Sequence, residues 1–572
     1  MQYMDTYRKW LDSPAVDAAT KAELTAIADD EQEIKERFYK DLEFGTGGLR
    51  GVIAAGSNRM NIYTVRKATQ GLAEDILNCG DQEKGVVIAY DCRHKSPEFA
   101  MESAKVLAAN GIKTYVFDEL RPTPELSFAV RHLKAARGIV ITASHNPKEY
   151  NGYKAYGEDG GQLPPKSSDY VISIINQIDT FDGVKVMDEQ QARDAGLIVT
   201  IGAEVDDAYL VAVREQSINE ENFAKLGDDF KVIYTPFHGA GNKPVRRILE
   251  MTGVKNVSIV KEQELPDPDF STVKSPNPEE KEGFSYAIAM AKQNGADLIF
   301  ATDPDSDRLG VVTRDQKGEY VTLSGNQTGV LLTEFILRNK KEKGTLPGNG
   351  AVIKTIVTTP MVEPIAAEYG VKVYDVLTGF KFIGELIRDF EEHDYYNRYL
   401  FGFEESYGYL AGTYARDKDA VVASMLVCQM AADYKVRGMT LYEGLLSLYE
   451  KYGTYLERLK NIVLTGLDGV EKIKSIMESF RANPPKELDG SQVVEVWDVR
   501  EGTATKADGT VSKLDLPKSD VLKFFMADGA WVAMRPSGTE PKIKFYFGVR
   551  EADLAAANAK LDRLEKKIEE ML

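Results

Sequence analysis

Asp303, Asp305 and Asp307 alternate directly after an apolar run in the stretch "ADLIFATDPDSDRLGVV". In extended backbone alternate side chains point to one side, so the three carboxylates converge. Carboxylates gathered that closely repel one another. A hard divalent cation relieves the repulsion, and Mg2+ takes oxygen ligands while keeping positions open for water or phosphate. The loop stands at the carboxyl end of a strand, where open α/β sheets carry their sites. A calcium loop of the EF-hand type is excluded, because its sixth and twelfth positions, which need Gly and Glu, are Arg308 and Arg314. A phosphatase attacking through Asp303 is an alternative, weakened by Asp307 where such enzymes place Thr or Val. A solvated acidic turn is the plainest alternative, but three acids behind a buried strand make it costly.

A second constellation is "GIVITASHNPKEYNGYK" (138–154), with Ser144 and His145 adjacent. Neighbours in sequence do not make a hydrolase pair, whose members come from distant segments, and no G-x-S-x-G elbow occurs. Alone, Ser144 reads as a turn or helix cap. Beside the aspartates it takes another role: a phosphorylated serine would supply the oxygen that completes a magnesium shell, and the metal would polarise that phosphoryl group. Ser144 then carries phosphate. "MRPSGTEPKIKFYF" sets Arg535, Lys542 and Lys544 around a Ser-Gly-Thr turn, the makings of an anion nest. "FGFEESYGYL" offers adjacent acids between glycines, suited to paired sugar hydroxyls. "FGTGGLRG" fails the G-x-G-x-x-G pattern because Arg50 replaces the third glycine, and no P-loop occurs, which argues against an ATP-dependent kinase.

These motifs need a frame. "GVVIAY" (85–90), "TYVFDE" (114–119), "GIVITA" (138–143), "KVIYTP" (231–236) and "DLIFAT" (297–302) read as buried strands, and stretches such as "PEFAMESAKVLAAN" have helical spacing. Strand–helix alternation implies right-handed crossovers and mostly parallel sheets. The junctions "NGIKTYVFD", "TGVKNVSIV" and "YGVKVYDVL" repeat a Gly–β-branched–Lys pattern before a strand, with Gly111, Gly253 and Gly370 at helix-closing positions 142 and 117 residues apart. Three related α/β domains in series follow. Past about residue 455 hairpin-like turns and a terminal helix predict a separate α+β domain.

Composition agrees. The chain has 572 residues, 43% hydrophobic and 28% charged, and its three widely spaced cysteines suit neither a disulfide framework nor a zinc cluster. The N-terminus lacks a signal-type apolar core and no apolar run reaches the roughly 18 residues of a membrane span, so a cytoplasmic protein is expected. A net charge of −18 disfavours nucleic acid and anionic membranes as partners.

"TASHNP" (142–147), "DPDSDR" (303–308), "GFEESYG" (402–408) and "RPSGTEPKIK" (535–544) stand in the order of the α-D-phosphohexomutases, and the chain resembles that family over nearly its whole length. The resemblance implies an α/β fold of four domains around one cleft: 1–205 with the phosphoserine loop, 206–318 with the metal loop, 319–450 with the sugar loop, and an α+β domain, 451–572, with the phosphate loop. It implies phosphorylated Ser144, one Mg2+ held by Ser144, Asp303, Asp305 and Asp307, and Arg535, Ser537, Gly538, Thr539 and Lys544 around the phosphate that is not transferred. Glu404, Ser406, Thr378 and Gly379 match sugar-binding positions. Arg50 matches a family arginine near the transferring phosphate, Lys154 a position that reaches the cleft, and Arg308 and Lys154 are expected to bind substrate. Lys418 is the candidate general acid/base, with its pKa lowered by Arg308 and Arg50, and His145 the lesser candidate. The activity implied is interconversion of α-D-glucose 1-phosphate and glucose 6-phosphate through glucose 1,6-bisphosphate, by a monomer or weak dimer. Tyr407 fits glucose- or pentose-type relatives better than mannose-type ones.

Overall fold

A computed structural model describes residues 2–572 except 46, 394, 465, 466 and 538–541, and leaves out the side chains of 467, 468 and 470. The first three sheets are variations on one unit. In the first, parallel strands Thr114–Phe117, Val86–Tyr90 and Arg137–Ile141 lie side by side, and Tyr150–Tyr156 turns back antiparallel on the last. The second repeats the order with Asn256–Ile259, Lys231–Thr235, Leu298–Thr302 and antiparallel Leu309–Arg314. The third repeats it with Lys372–Val376, Gly350–Thr355, Arg398–Glu404 and antiparallel Gly408–Ala411. Gly48–Val52 and Ile198–Ile201 extend the edges of the first sheet, and Tyr320–Leu323 one edge of the second.

The five strands expected from sequence all form, each within about two residues of its expected ends. Gly111, Gly253 and Gly370 sit at φ 74°, 89° and 69°, with no atom within 4 Å of the place a Cβ would take. Backbone handedness, not space, requires glycine at these helix-to-strand junctions. The fourth sheet is antiparallel and has eight strands, among them Leu522–Met526, Trp531–Pro536 and Lys542–Glu551, with the terminal helix Leu554–Glu569 packed on it.

The largest apolar core joins residues of the first three units around the helix Ala420–Val436, buried on almost every side. A helix apolar all round must lie inside, and this one ties three sheets to a shared axis. Asp419 caps it, accepting from the Val421 and Val422 N–H groups at 2.7 and 3.1 Å and from Tyr209 Oη at 2.9 Å. That cap fixes the neighbouring Lys418. No helix among the described residues is long and apolar enough to cross a membrane.

Candidate active site

In each repeated unit the turn between the third strand and its antiparallel partner carries expected site residues. The three turns hold Ser144, the aspartates, and Glu405–Tyr407 respectively. Each contains a non-glycine residue in the left-handed region: Ser144 at φ 53°, Ser306 at 52° and Tyr407 at 65°. Such a conformation costs roughly 1–2 kcal/mol and persists only where the surroundings impose it.

Around Ser144 the constraint is visible. Its N–H donates to Thr142 Oγ1 at 2.8 Å, and the Thr142 hydroxyl donates to Asp91 at 2.6 Å. The buried Arg93 guanidinium donates to the carbonyls of Ser144 (2.6 Å), Pro147 (2.8 Å), Tyr150 (3.0 Å) and Asn146, while its Nε lies 3.2 Å from Asp91. Neither Asp91 nor Arg93 was expected from the sequence. The signal available was position alone, since "DCRHKS" also follows the carboxyl end of a parallel strand. Arg93→Met should cost about 3–5 kcal/mol, because it leaves Asp91 buried without a cation. A thermal scan matching the native protein would contradict this role.

Ser144 Oγ donates to Asp303 Oδ2 at 2.8 Å, and His145 Nδ1 lies 3.1 Å from Ser144 Oγ. The residues 159 apart in sequence do meet. Asp303 Oδ1 accepts from the N–H groups of Asp307 and Arg308 at 3.1 and 3.0 Å. The loop is held from three sides: Thr123 N–H donates to the Asp305 carbonyl at 2.9 Å, Ala240 N–H to that of Pro304 at 2.8 Å, and Ala420 N–H to that of Ser306 at 3.1 Å.

All three aspartates are buried, and one oxygen from each lies within 4.8 Å of the others. Asp305 Oδ1 and Asp307 Oδ1 are buried without a hydrogen-bond partner. Unsatisfied carboxylate oxygens at such depth are costly, and these converge with the Ser144 hydroxyl. Opposite ligands of an Mg2+ octahedron are about 4.2 Å apart, so a slight contraction suits the set to that ion. Burial and then the neighbouring charges of Asp305 and Asp307 push the Asp303 carboxyl well above its usual range. A group of acids short of positive charge is what a divalent cation completes.

Two lysines partly compensate. Lys154 Nζ donates to Asp305 Oδ2 at 2.8 Å, and Lys418 Nζ lies 3.1 Å from Asp307 and 3.0 Å from Asp417. The expectation that Arg308 and Arg50 lower the Lys418 pKa is overturned. Burial works downward, but the carboxylates of Asp307, Asp417 and Glu404 outweigh it together with Arg308, and the ammonium is raised. Asp417 is the missed partner, adjacent in sequence yet without a spacing signal. Gly408 makes the lysine's path: a Cβ there would lie 2.0 Å from Lys418 Cδ. His145 moves the other way. Burial, then the charges of Arg308 and Arg50, hold its imidazole neutral.

Arg308 Nη1 donates to Glu279 at 2.9 Å, another partner the sequence did not suggest, and Arg50 Nη1 donates to Asn146 Oδ1 at 3.3 Å beside the serine turn. The sugar-type residues also assemble. Gly379 N–H, at φ 119°, donates to Glu404 Oε1 at 2.8 Å, which places Thr378 next to the turn bearing Ser406. Leu309 N–H donates to the Tyr407 carbonyl at 3.0 Å and joins this turn to the aspartate loop. Burial, opposed by Lys418 and assisted by Glu405, raises Glu404 to about 7.

In the fourth unit Arg535 pairs in register with Lys544, and Ser537 N–H donates to the Lys542 carbonyl at 2.8 Å. Gly538 and Thr539 lie outside the described residues. Burial and the charges of Arg535 and Lys542 lower Lys544, which also feels Glu405 and Arg308 across the cleft. An acidic chain thus gathers Arg50, Lys154, Arg308, Lys418, Arg535 and Lys544 about one site, a focus for a dianion.

Sequence profiles described as phosphoglucomutase/phosphomannomutase match in order: α/β/α domain I over 41–182, domain II over 207–318, domain III over 324–452, and the C-terminal domain over 469–561. A phosphoglucomutase of Staphylococcus aureus (strain MRSA252) is 37% identical over 533 residues, 93% of this chain and 94% of its own. In fold the chain is similar to the open form of the Paramecium exocytosis-sensitive phosphoprotein pp63/parafusin, a phosphoglucomutase (TM-score 0.68, 18% identity, 93% and 94% of the two chains). It is also similar to a phosphoglucomutase/phosphomannomutase family protein from Burkholderia thailandensis (TM-score 0.67, 18% identity, 92% and 96% covered). With four ordered domain matches and a relative of that identity along almost its full length, this chain belongs to the phosphoglucomutase/phosphomannomutase family.

Proposed function

We propose that this chain is an isomerase interconverting α-D-glucose 1-phosphate and glucose 6-phosphate, with the phosphoryl group carried on Ser144. The observation that carries the reading is the 2.8 Å contact between Ser144 Oγ and Asp303 inside a buried triad of acids. The name of the S. aureus relative supports the glucose assignment.

In the forward half-reaction the phosphorus–Oγ bond of phosphoserine breaks and a bond forms to the sugar's free hydroxyl oxygen, giving glucose 1,6-bisphosphate. The bisphosphate reverses in the cleft. Its other phosphoryl passes to Ser144 Oγ, and the sugar leaves as the isomeric monophosphate. One Mg2+, held by Asp303, Asp305, Asp307 and an oxygen on Ser144, would supply positive charge that polarises the phosphoryl group. Lys418, kept protonated, neutralises the moving phosphoryl and donates a proton to the leaving oxygen, and it regains the proton that the attacking hydroxyl loses, by way of His145 where that hydroxyl is the one on Ser144. His145 is neutral and within reach of Oγ, so it can take the serine proton when Ser144 is rephosphorylated, given the tautomer with a bare Nδ1. Arg50, Arg308 and Lys154 line the path of the transferring group. Glu404, with Thr378, Gly379 and Ser406, receives the sugar, and Arg535, Ser537, Gly538, Thr539 and Lys544 hold the distal phosphate.

The phosphatase alternative finds little support. Both oxygens of Asp303 are engaged, one by two backbone N–H groups and the other by the serine, which leaves no free nucleophile there. We further propose that the chain works as a monomer or weak dimer. We set the domain boundaries at 202/203, 323/324 and 452/453; these replace 205/206, 318/319 and 450/451, because the helices Ala203–Arg214 and Leu441–Tyr452 run through positions 205 and 450 and the strand Tyr320–Leu323 pairs within the second sheet.

A coupled assay for glucose 6-phosphate tests the reading, run on glucose, mannose and ribose 1-phosphates with and without Mg2+. Highest kcat/KM on the glucose ester is expected, and release of inorganic phosphate instead would refute it. The raised Glu404 adds a pH prediction. Its carboxylate must be ionised to accept from two hydroxyls, so kcat/KM falls roughly tenfold per unit as pH drops below about 7. The substrate phosphate titrates nearby, so Glu404→Gln is the control: its profile should lose one proton of this dependence. An unaltered profile would remove Glu404 from sugar recognition.

A further inference from the structure

Away from the cleft, the fourth domain presents to the third a lysine that the reaction does not use. Lys523, on the strand Leu522–Met526, is buried, and its Nζ donates across the domain interface to the Ile356 carbonyl at 2.6 Å. The ring centroids of Trp531, Phe525 and Trp497 stand 4.4, 4.6 and 5.8 Å from Nζ. The nearest acids of the third domain are already engaged, since Lys354 Nζ holds Asp375 at 2.6 Å and Glu363 at 3.1 Å. Burial, then the like charge of Lys354, pulls Lys523 down to about 7. An ammonium so deep, with ring faces and one carbonyl as its partners, is expensive in a merely structural place.

What the arrangement touches suggests its use. Ile356 follows Thr355, whose hydroxyl donates to Glu405 Oε2 at 3.2 Å, as that of Thr358 does at 3.3 Å. Glu405 adjoins Glu404. On the other side Trp531, Ala533 and Arg535 alternate along one strand and so share a face, and Ser537 continues the strand's end. Apolar packing of Ile356, Val357 and Leu377 on Trp531, Ala533 and Tyr546 completes the contact. One side of the lysine clasp therefore backs the sugar turn, and the other is the strand leading into the anion loop.

We propose that Lys523 is a positioning residue: its bond to the Ile356 carbonyl, within the aromatic cage, fixes the strand bearing Arg535 and Ser537 in the fourth domain against the sugar turn of the third. The inference rests on the proposed reading of those two loops. Lys523→Met keeps the aliphatic stem and removes the donor. The expected result is a KM for glucose 1-phosphate about tenfold higher with kcat within twofold, the pattern of lost uniform binding. Without any substrate, small-angle scattering should give a larger radius of gyration, and hydrogen exchange should quicken at 355–359. Lys560→Met, which breaks pairs with Asp528 and Glu551 inside the fourth domain, should change neither. Native scattering and native KM in Lys523→Met overturn the proposal. Scattering and exchange need no turnover, so they stay readable if the proposed activity fails.

Should that variant not fold, the native protein supplies the test. Closing the interface removes a proton from Lys523, so the scattering radius should shrink between about pH 7.5 and 9.5, as neutral lysine becomes plentiful. Glu457, raised by burial to about 7 in the same interface, is mostly ionised at pH 7.5 and adds little slope above it, and of the opposite sign. Lys354, raised by Asp375 and Glu363 against its burial, stays charged with them. A radius independent of pH over this window rejects the clasp.

Discussion

Ser144→Ala will lower turnover of glucose 1-phosphate by at least about four orders of magnitude while leaving sugar-phosphate affinity within about threefold. Removing a covalent nucleophile deletes the step itself, and single losses in such machinery typically cost this much or more. Binding should survive because the groups expected to grip the sugar and the distal phosphate sit on other turns, around Glu404 and Arg535. The Ser144 backbone should survive too. Arg93 holds it through four carbonyls and Thr142 through its N–H, and none of these contacts uses the serine hydroxyl. Calorimetry with glucose 1-phosphate, beside a coupled assay, separates the two outcomes. Equal loss of binding and turnover would mean that Ser144 is a structural cap.

The second large effect concerns the acids. Adding Mg2+ to metal-stripped protein should raise its apparent unfolding midpoint by several degrees, since a ligand at a hundred times its Kd stabilises by about 2.7 kcal/mol. Asp305→Asn should abolish that shift and lower activity about three orders of magnitude. Asp305 Oδ1 is, with Asp307 Oδ1, one of the two buried carboxylate oxygens of the triad without a partner, and its Oδ2 already accepts from Lys154 and Thr123. Asparagine can keep both bonds through its carbonyl oxygen but brings no charge, and its NH2 stands where the second anionic oxygen was. A variant that still gains stability from Mg2+ would place the ion elsewhere.

The legible part of this fold was the part written in period and punctuation. Alternating apolar runs marked the parallel strands, and Gly111, Gly253 and Gly370 marked the junctions because only glycine takes φ near +70° to +90° without strain. The aspartates were legible because three like charges after a buried strand need an explanation. Arg93, Asp91, Asp417 and Glu279 were not. Arg93, Asp91 and Glu279 act through carbonyls or through partners far away in sequence, and Asp417 meets the very next residue, so none leaves a trace in local spacing. The Lys418 pKa was misjudged for the same reason. Arg308 is near, as expected, but Asp307, Asp417 and Glu404 converge from three segments, and their sum decides the sign. Fold follows from local pattern here, while site electrostatics depends on which loops the shared turn geometry brings together.

The most direct measurement is a single turnover with enzyme radiolabelled in its phosphoryl group. The label should map to the peptide containing residues 138–154, leave it on mixing with excess glucose 1-phosphate, and appear in glucose 1,6-bisphosphate. Label recovered as inorganic phosphate, or on a peptide containing Asp303, would contradict transfer through Ser144.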